Sequence, residues 1–226
     1  MEKRSIAVDG PGGAGKSTLA RKAANHFKLI YVDTGALYRC VALHVIRNNI
    51  NAKDAKGVSE VLNDIKIEME YDAEGTQRMF LGGNDVTDEI RLPEISMGAS
   101  DVSALPPVRA FLLSMQREMA EKYDVIMDGR DIGTVVLPNA GLKVFLTADP
   151  QTRAKRRYLE LLAKNIEATY EDVLRDMVLR DKNDSERETA PLKPADDSKM
   201  LDTTNLDLEE SFKAICKIIT EAGLGT

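Results

Sequence analysis

The stretch that most constrains this chain is a glycine-rich turn close to its start. Ile6, Ala7 and Val8 form a short apolar run fit for a buried parallel strand. The run ends at Asp9, and Gly10, Pro11, Gly12, Gly13, Ala14 and Gly15 follow; Lys16, Ser17 and Thr18 then open a helical pattern. A G-x-x-x-x-G-K-S string between a strand and a helix is a phosphate cradle. Glycines let the backbone turn tightly and bring N–H groups against phosphate oxygens, and the helix N-terminus adds partial positive charge. Lys16 supplies a point charge for the outer phosphates, and the Ser17 hydroxyl is a ligand for Mg²⁺. A plain glycine-rich connection would not need the lysine and hydroxyl at these positions. The stretch from Gly10 to Thr18 is expected to bind a nucleoside triphosphate.

A chain of 226 residues, 43% of them hydrophobic, is long enough for one sizeable core with an inserted piece. No window approaches the ~20 apolar residues of a membrane span. The charges at Glu2, Lys3 and Arg4 precede an apolar run too short for a signal peptide. Cys40 and Cys216 have no metal-ligand or disulfide spacing and read as ordinary core thiols of a reduced, cytoplasmic protein. A net charge of −6 offers no general attraction for nucleic acid. Anionic ligands must be held by local arginine clusters, and neither a nucleic-acid nor a membrane partner is expected.

Ala20, Ala23, Ala24 and Phe27 recur at helical spacing, so a helix over 16–27 is expected. Leu29 to Val32 is a second strand ending in Asp33-Thr-Gly35, which completes a right-handed βαβ unit. Leu37, Val41 and Val45 begin another helix. The next core strand, Val125 to Met127, lies so far on that an insertion is required. Within it, Ile65, Ile67, Met69 and Tyr71 alternate with charged residues, Asp72-Ala-Glu-Gly75 makes a turn, and Gln77 to Leu81 pairs back. Pro106-Pro107 opens a helix with Val108, Leu112, Met115 and Met119 on one face. Leu142 to Leu146 and Lys199 to Leu201 are the last two strands, separated by a charged helical region, and a final helix runs from about Leu208 to Ala222. The fold expected is a three-layer α/β/α core with a five-stranded parallel sheet and a small antiparallel patch. Asp9, Asp33 and Asp128 fall on its carboxyl edge, where ligands bind in such folds.

Other charged groups converge on that edge. Asp128-Gly-Arg-Asp131 puts two acids and an arginine at a buried strand's end, which is costly unless used. Arg180, Asp184 and Arg187 share one helical face if the helix persists, and Arg153, Lys155, Arg156 and Arg157 form a basic cluster. Alone, each of these last two runs would read as a solvated face. His26 and His44 lie beside no motif and read as ordinary helix residues. The guanine-reading Asn-Lys-x-Asp of a GTPase is absent; Asn51-Ala-Lys-Asp54 has the wrong order.

Together these runs resemble the bacterial cytidylate (CMP) kinase family. The resemblance rests on the glycine-rich turn, Asp33-Thr-Gly-Ala-Leu-Tyr-Arg39, Asp85-Val-Thr-Asp-Glu-Ile-Arg91, Asp128-Gly-Arg-Asp-Ile-Gly-Thr134, Arg180 through Arg187 with Ala190-Pro-Leu192, and Asp202-Thr-Thr204. It implies a single P-loop nucleoside monophosphate kinase domain over 1–226, with a monophosphate-binding insertion near 36–105 and a lid near 153–168. It implies transfer of the ATP γ-phosphoryl group to CMP or dCMP, with Mg²⁺ as cofactor and a monomer as the working form. Lys16, Arg130, Arg156 and Arg157 are then the catalytic set, the lid arginines closing over the donor phosphates. Thr34, Arg39, Arg130 and Arg187 go to the acceptor monophosphate, and Arg180 and Asp184 to its ribose. Ser100, Arg109 and Asp131 go to the base, and Ser17 and Asp128 to the metal. The alternative is another P-loop small-molecule or nucleoside monophosphate kinase.

Overall fold

The computed structural model describes residues 3–72 and 75–225. Its first half contains β1 (Ser5–Asp9), α1 (Lys16–Phe27), β2 (Ile30–Asp33), α2 (Thr34–Arg47), α3 (Ala55–Val61), β3 (Ile67–Tyr71), β4 (Gln77–Leu81), β5 (Asn84–Asp85) and α4 (Pro93–Ser103). Then follow α5 (Pro106–Lys122), β6 (Val125–Gly129), β7 (Leu142–Thr147), α6 (Pro150–Ala163), α7 (Tyr170–Glu186), β8 (Lys199–Asp202) and α8 (Leu208–Glu221).

A five-stranded sheet ordered β2-β6-β1-β7-β8 forms the centre, and every pairing in it is parallel. Side chains of successive strand residues point to opposite faces, so the apolar strands feed two helical layers. Ile6 and Val8 of β1 and Ile126 of β6 pack with Leu19, Ala23 and Phe27 of α1 and Ile215 and Ile219 of α8. Ala7, Val125 and Met127 point the other way, into a cluster that includes Leu113 and Met119 of α5. Ile215 and Ile219 are fully buried, and each such side chain contributes roughly 1.5–3 kcal/mol of burial. The start of α8 is fixed by a reciprocal cap between Asp207 and Glu210.

The antiparallel patch is the three-stranded sheet β3-β4-β5, with Ile67 opposite Leu81 and Tyr71 opposite Gln77. Ile65 is buried but precedes the strand, because the short turn Leu62–Asp64 takes up the chain there. Ala73 and Glu74 of the expected turn lie outside the described residues, as does Glu2. Three elements carry weak periodicity and were not expected: α3, the two-residue β5, and α4, which starts at Pro93 and packs along α2. The long charged region divides into α6 and α7, which form a small cluster of their own around Ala154, Leu161, Val173 and Met177. Helix α7 ends at Glu186, so Arg187 is an extended cap residue with φ −62° and ψ 140° rather than a continuation of the helical face.

Candidate active site

The carboxyl edge of the sheet opens into a cleft of about 1120 Å³ bounded by the 10–15 loop, α2, α4, the end of β6, α6 and α7. Asp33 and Asp128 face each other in register on β2 and β6, and Asp9 pairs with Gly129 on β1 and β6. All three strand-end acids are buried.

The 10–15 loop has the backbone its glycines allow. Gly10 has φ 146°, and a Cβ there would stand 1.9 Å from the Leu146 carbonyl oxygen, so no side chain fits. Gly15 has φ 93° and opens α1 with no side-chain cap, which leaves the first helical N–H groups open to an anion. Lys16 is buried and its Nζ donates to the Pro11 carbonyl at 2.8 Å. Burial, then the nearby Arg130 cation, pushes its pKa down to about 7. The Ser17 hydroxyl donates to Asp128 Oδ2 at 2.7 Å, and the Tyr31 hydroxyl donates to Asp128 Oδ1 at 3.2 Å. Burial and then Asp33 raise the Asp128 pKa to about 6. Thr18 lies on the cleft wall.

Another part of the cleft wall is a knot of cations. Arg39 donates to Asp33 Oδ2 at 2.7 Å while its Nε is buried without a partner. Arg130 donates through Nε to Asp184 Oδ2 at 2.8 Å. The Arg180 Nε is also buried without a partner, and burial, then Arg130, lowers its pKa to about 10. The Thr34 hydroxyl donates to the Asp128 carbonyl at 2.7 Å. Burial would raise Asp184, but the cations Arg130 and Arg180 hold its pKa below the usual carboxylate range.

Deeper in, Asp131 is ion-paired with Arg109, and Arg187 Nη2 lies 3.6 Å from its other oxygen. Burial raises the Asp131 pKa despite these cations. Arg109 also donates to the Ser103 carbonyl at 3.2 Å and lies 5.7 Å over the Tyr38 ring. Arg187 donates to the Ser103 hydroxyl at 3.1 Å, so it reaches this corner although it lies beyond the helix. Ser100, buried on α4, lines the same corner, and its carbonyl accepts from Ser103.

At the other end, Arg156 donates to the Thr203 carbonyl at 2.7 Å and Arg157 to Glu160 at 3.2 Å; both line the cleft. Arg153 stands apart from them. It is buried and donates to the carbonyls of Gly12 and Ala148 and to Asp181, so it braces the glycine-rich loop against α7.

The candidate site residues therefore gather around one cleft. Sequence reasoning missed Asp33 and Arg91 as partners. Asp33 Oδ2 accepts from Arg91 at 3.3 Å as well as from Arg39, and Oδ1 accepts from the Ala36 N–H. Their signal was present, since Asp33 ends a strand and Arg91 closes the matched Asp85 run, but nothing in the string links the two. Tyr38 lies inside the matched Asp33 to Arg39 run, which assigns it no role, and Ser103 gave no signal at all.

The family model described as cytidylate kinase matches residues 6–221. The chain belongs to the cytidylate kinase family. The cytidylate kinase of Caldicellulosiruptor bescii is 49% identical over 218 residues, with 96% of each chain covered. That of Clostridium acetobutylicum is 46% identical, covering 96% of this chain and 98% of the relative. That of Limosilactobacillus reuteri is 47% identical, covering 95% and 94%. Among solved structures, an uncharacterized protein from Eubacterium ventriosum has a TM-score of 0.53 at 14% identity over 96% of this chain and 99% of its own. A shikimate kinase from Bacteroides thetaiotaomicron has a TM-score of 0.50 at 13% identity, covering 97% and 98%. These two likenesses show the fold alone, an α/β architecture. Family membership at this identity disfavours the alternative of another small-molecule kinase.

Proposed function

We propose that this cytidylate kinase family member transfers the γ-phosphoryl group of ATP to the 5′-phosphate of CMP or dCMP, giving ADP and CDP or dCDP. The observation that carries this reading is the cation knot. Arg130 and Arg180 act electrostatically on Lys16, Arg130 and Arg39 act on Arg180, and among the described residues the Nε groups of Arg39 and Arg180 are buried without acceptors. Arg39 is paired with Asp33 and Arg130 with Asp184, but buried guanidinium N–H groups left without acceptors call for a further anion, and a donor and an acceptor phosphate brought together supply it.

The open amides at the α1 N-terminus and Lys16 hold the donor phosphates, with Arg156 and Arg157 on the same wall. Arg39, Arg130 and Arg187 take the acceptor phosphate, with Thr34 beside them, and Arg180 and Asp184 take the ribose. The acceptor phosphate has a second pKa near ~6 and is largely dianionic at neutral pH, so its oxygen attacks without a general base. Catalysis is alignment and charge neutralisation. The Ser17 hydroxyl beside the Asp128 carboxylate is a pair of hard oxygen donors at the cleft, which suits Mg²⁺ coordinated otherwise by water and phosphate. When bound there, Mg²⁺ neutralises phosphate charge.

The stretch 36–105 serves as the monophosphate-binding insertion and 153–168 as the lid of a single domain spanning 1–226. The enzyme works as a cytoplasmic monomer; its two thiols are free, in keeping with a reducing compartment. No helix among the described residues is long and apolar enough to cross a membrane. ADP release measured across AMP, GMP, UMP, CMP, dCMP and a few phosphorylatable metabolites tests the reading. CMP and dCMP should lead the panel, and a purine monophosphate or a metabolite in first place would overturn it.

A further inference from the structure

Asp131 occupies the N-cap position of the π-turn Ile132–Val136, yet its side chain caps nothing. An aspartate at that position normally accepts from the second or third N–H of the turn it opens. Here the second of them, the Gly133 N–H, is already taken. Asp9, buried at the end of β1, accepts from the Ile132 N–H at 2.7 Å through Oδ1 and from the Gly133 N–H at 2.7 Å through Oδ2. Both oxygens of one carboxylate thus satisfy the first two orphan donors of a turn that begins on another strand.

We propose that Asp9 is a positioning residue for base selection, because by capping the turn in place of Asp131 it frees the Asp131 carboxylate for the base pocket. The proposal rests on the reading of Asp131 as the group that faces the cytosine amino group. Three further observations fit it. Asp131 turns instead toward Arg109 and Arg187, the other polar groups of that corner. Gly133 leaves no slack, since a Cβ there would lie 3.3 Å from Asp9 Oδ2 and 3.0 Å from Lys143 Cδ. Asp9 also immediately precedes Gly10, which approaches the Leu146 carbonyl too closely to admit a Cβ. The donor loop and the base reader are therefore set by one residue. Without both Asp9 acceptors, the exposed Gly133 N–H offers Asp131 its ordinary capping role, and each molecule in which Asp131 takes it lacks an acceptor for the cytosine amino group.

Asp9→Asn is nearly isosteric but has one acceptor oxygen, and its amide would face a backbone N–H. The quantity to measure is kcat/KM for CMP divided by that for UMP, together with KM for ATP, in the wild type, Asp9→Asn, Asp131→Ala and the double variant. Asp9→Asn should lower the CMP:UMP ratio roughly tenfold, with KM for ATP within about twofold. The double variant should discriminate no less than Asp131→Ala alone, because both changes act through one carboxylate. Gly133→Ala, which crowds Asp9 without removing it, serves if Asp9→Asn does not fold and should lower the ratio in the same direction. A selective wild type with an unchanged ratio in Asp9→Asn, or in Gly133→Ala where the former is unfolded, would overturn the role of Asp9 alone. A wild type that uses UMP as well as CMP would overturn the reading of Asp131 and this proposal with it.

Discussion

Arg153 donates to the Gly12 carbonyl at 3.0 Å and, from the same guanidinium, to Asp181 at 2.6 Å. One buried side chain therefore ties the donor loop to α7, one residue from Arg180 and three from Asp184. Arg153 is 3% exposed and each of its bonds is directional, so lysine cannot replace it.

Arg153→Ala should lower stability by roughly 3–5 kcal/mol, the usual cost of breaking a buried charge pair by removing one partner. In the folded fraction KM should rise for both ATP and CMP, since both walls lose the brace. Urea denaturation and steady-state kinetics check this; a change confined to KM for CMP would show that the loop does not depend on the arginine.

Among the described residues, Lys16 Nζ donates to the Pro11 carbonyl, a backbone acceptor rather than a carboxylate. Lys16→Ala should keep the fold and lower kcat by about 10²–10³, equivalent to roughly 3–4 kcal/mol of transition-state stabilisation. Circular dichroism with a turnover assay separates the two effects. Near-normal kcat in a folded variant would contradict the donor assignment.

Much of this architecture was legible in the string because the strands are short, apolar and buried on both faces, and because glycines mark the places where no side chain fits. The helix over Lys16–Phe27 and the strand over Gln77–Leu81 have the bounds their periodicity predicts. Helix α4 escaped notice because its buried face sets Ile95 and Val102 among Gly98, Ala99, Ser100 and Ser103, which are too small or polar to carry an apolar period. The site was legible as separate runs but not as contacts. Asp33 meets Arg91 across 58 residues of chain and Asp9 meets Gly133 across 124, and no local spacing encodes either meeting. Arg153 read as part of a basic surface cluster for the same reason: composition shows charge, and only packing shows which charge is buried.

The Asp9 carboxyl has its pKa raised from 3.8 to about 6, chiefly by burial, with the Gly133 and Ile132 N–H groups opposing the shift. A raised carboxyl pKa favours folding in its protonated form. The associated stability is fully present below pH 3.8 and is lost as pH rises through about 6, a change on the order of 3 kcal/mol. Denaturation of the wild type and Asp9→Asn between pH 4 and 7 should show the wild type losing ground to the variant as pH rises. A pH-independent difference would mean that Asp9 does not titrate in this window.

Asp184 accepts from Arg130 at 2.8 Å and lines the cleft, where it is proposed to face the acceptor ribose. Asp184→Ala should raise KM for CMP by about tenfold or more, consistent with roughly 1.5–3 kcal/mol for a hydrogen bond to a charged group, and leave KM for ATP nearly unchanged. A larger rise for ATP would move α7 to the donor side.

The central claim is that this cleft selects cytosine, and the ratio of kcat/KM for CMP to that for UMP tests it most directly. Cytosine presents an amino donor where uracil presents a carbonyl, and a ring acceptor where uracil presents an N–H. In this reading Asp131 accepts from the amino group, with Arg109 and Ser100 as the donors. UMP would leave Asp131 facing a carbonyl and Arg109 facing an N–H, at roughly 1–3 kcal/mol per mismatched contact. The wild type should therefore prefer CMP by about ten- to several-hundred-fold, and Asp131→Ala should lose CMP activity far more than UMP activity and narrow the ratio. Equal use of the two substrates by the wild type, or a ratio unchanged in Asp131→Ala, would contradict the account.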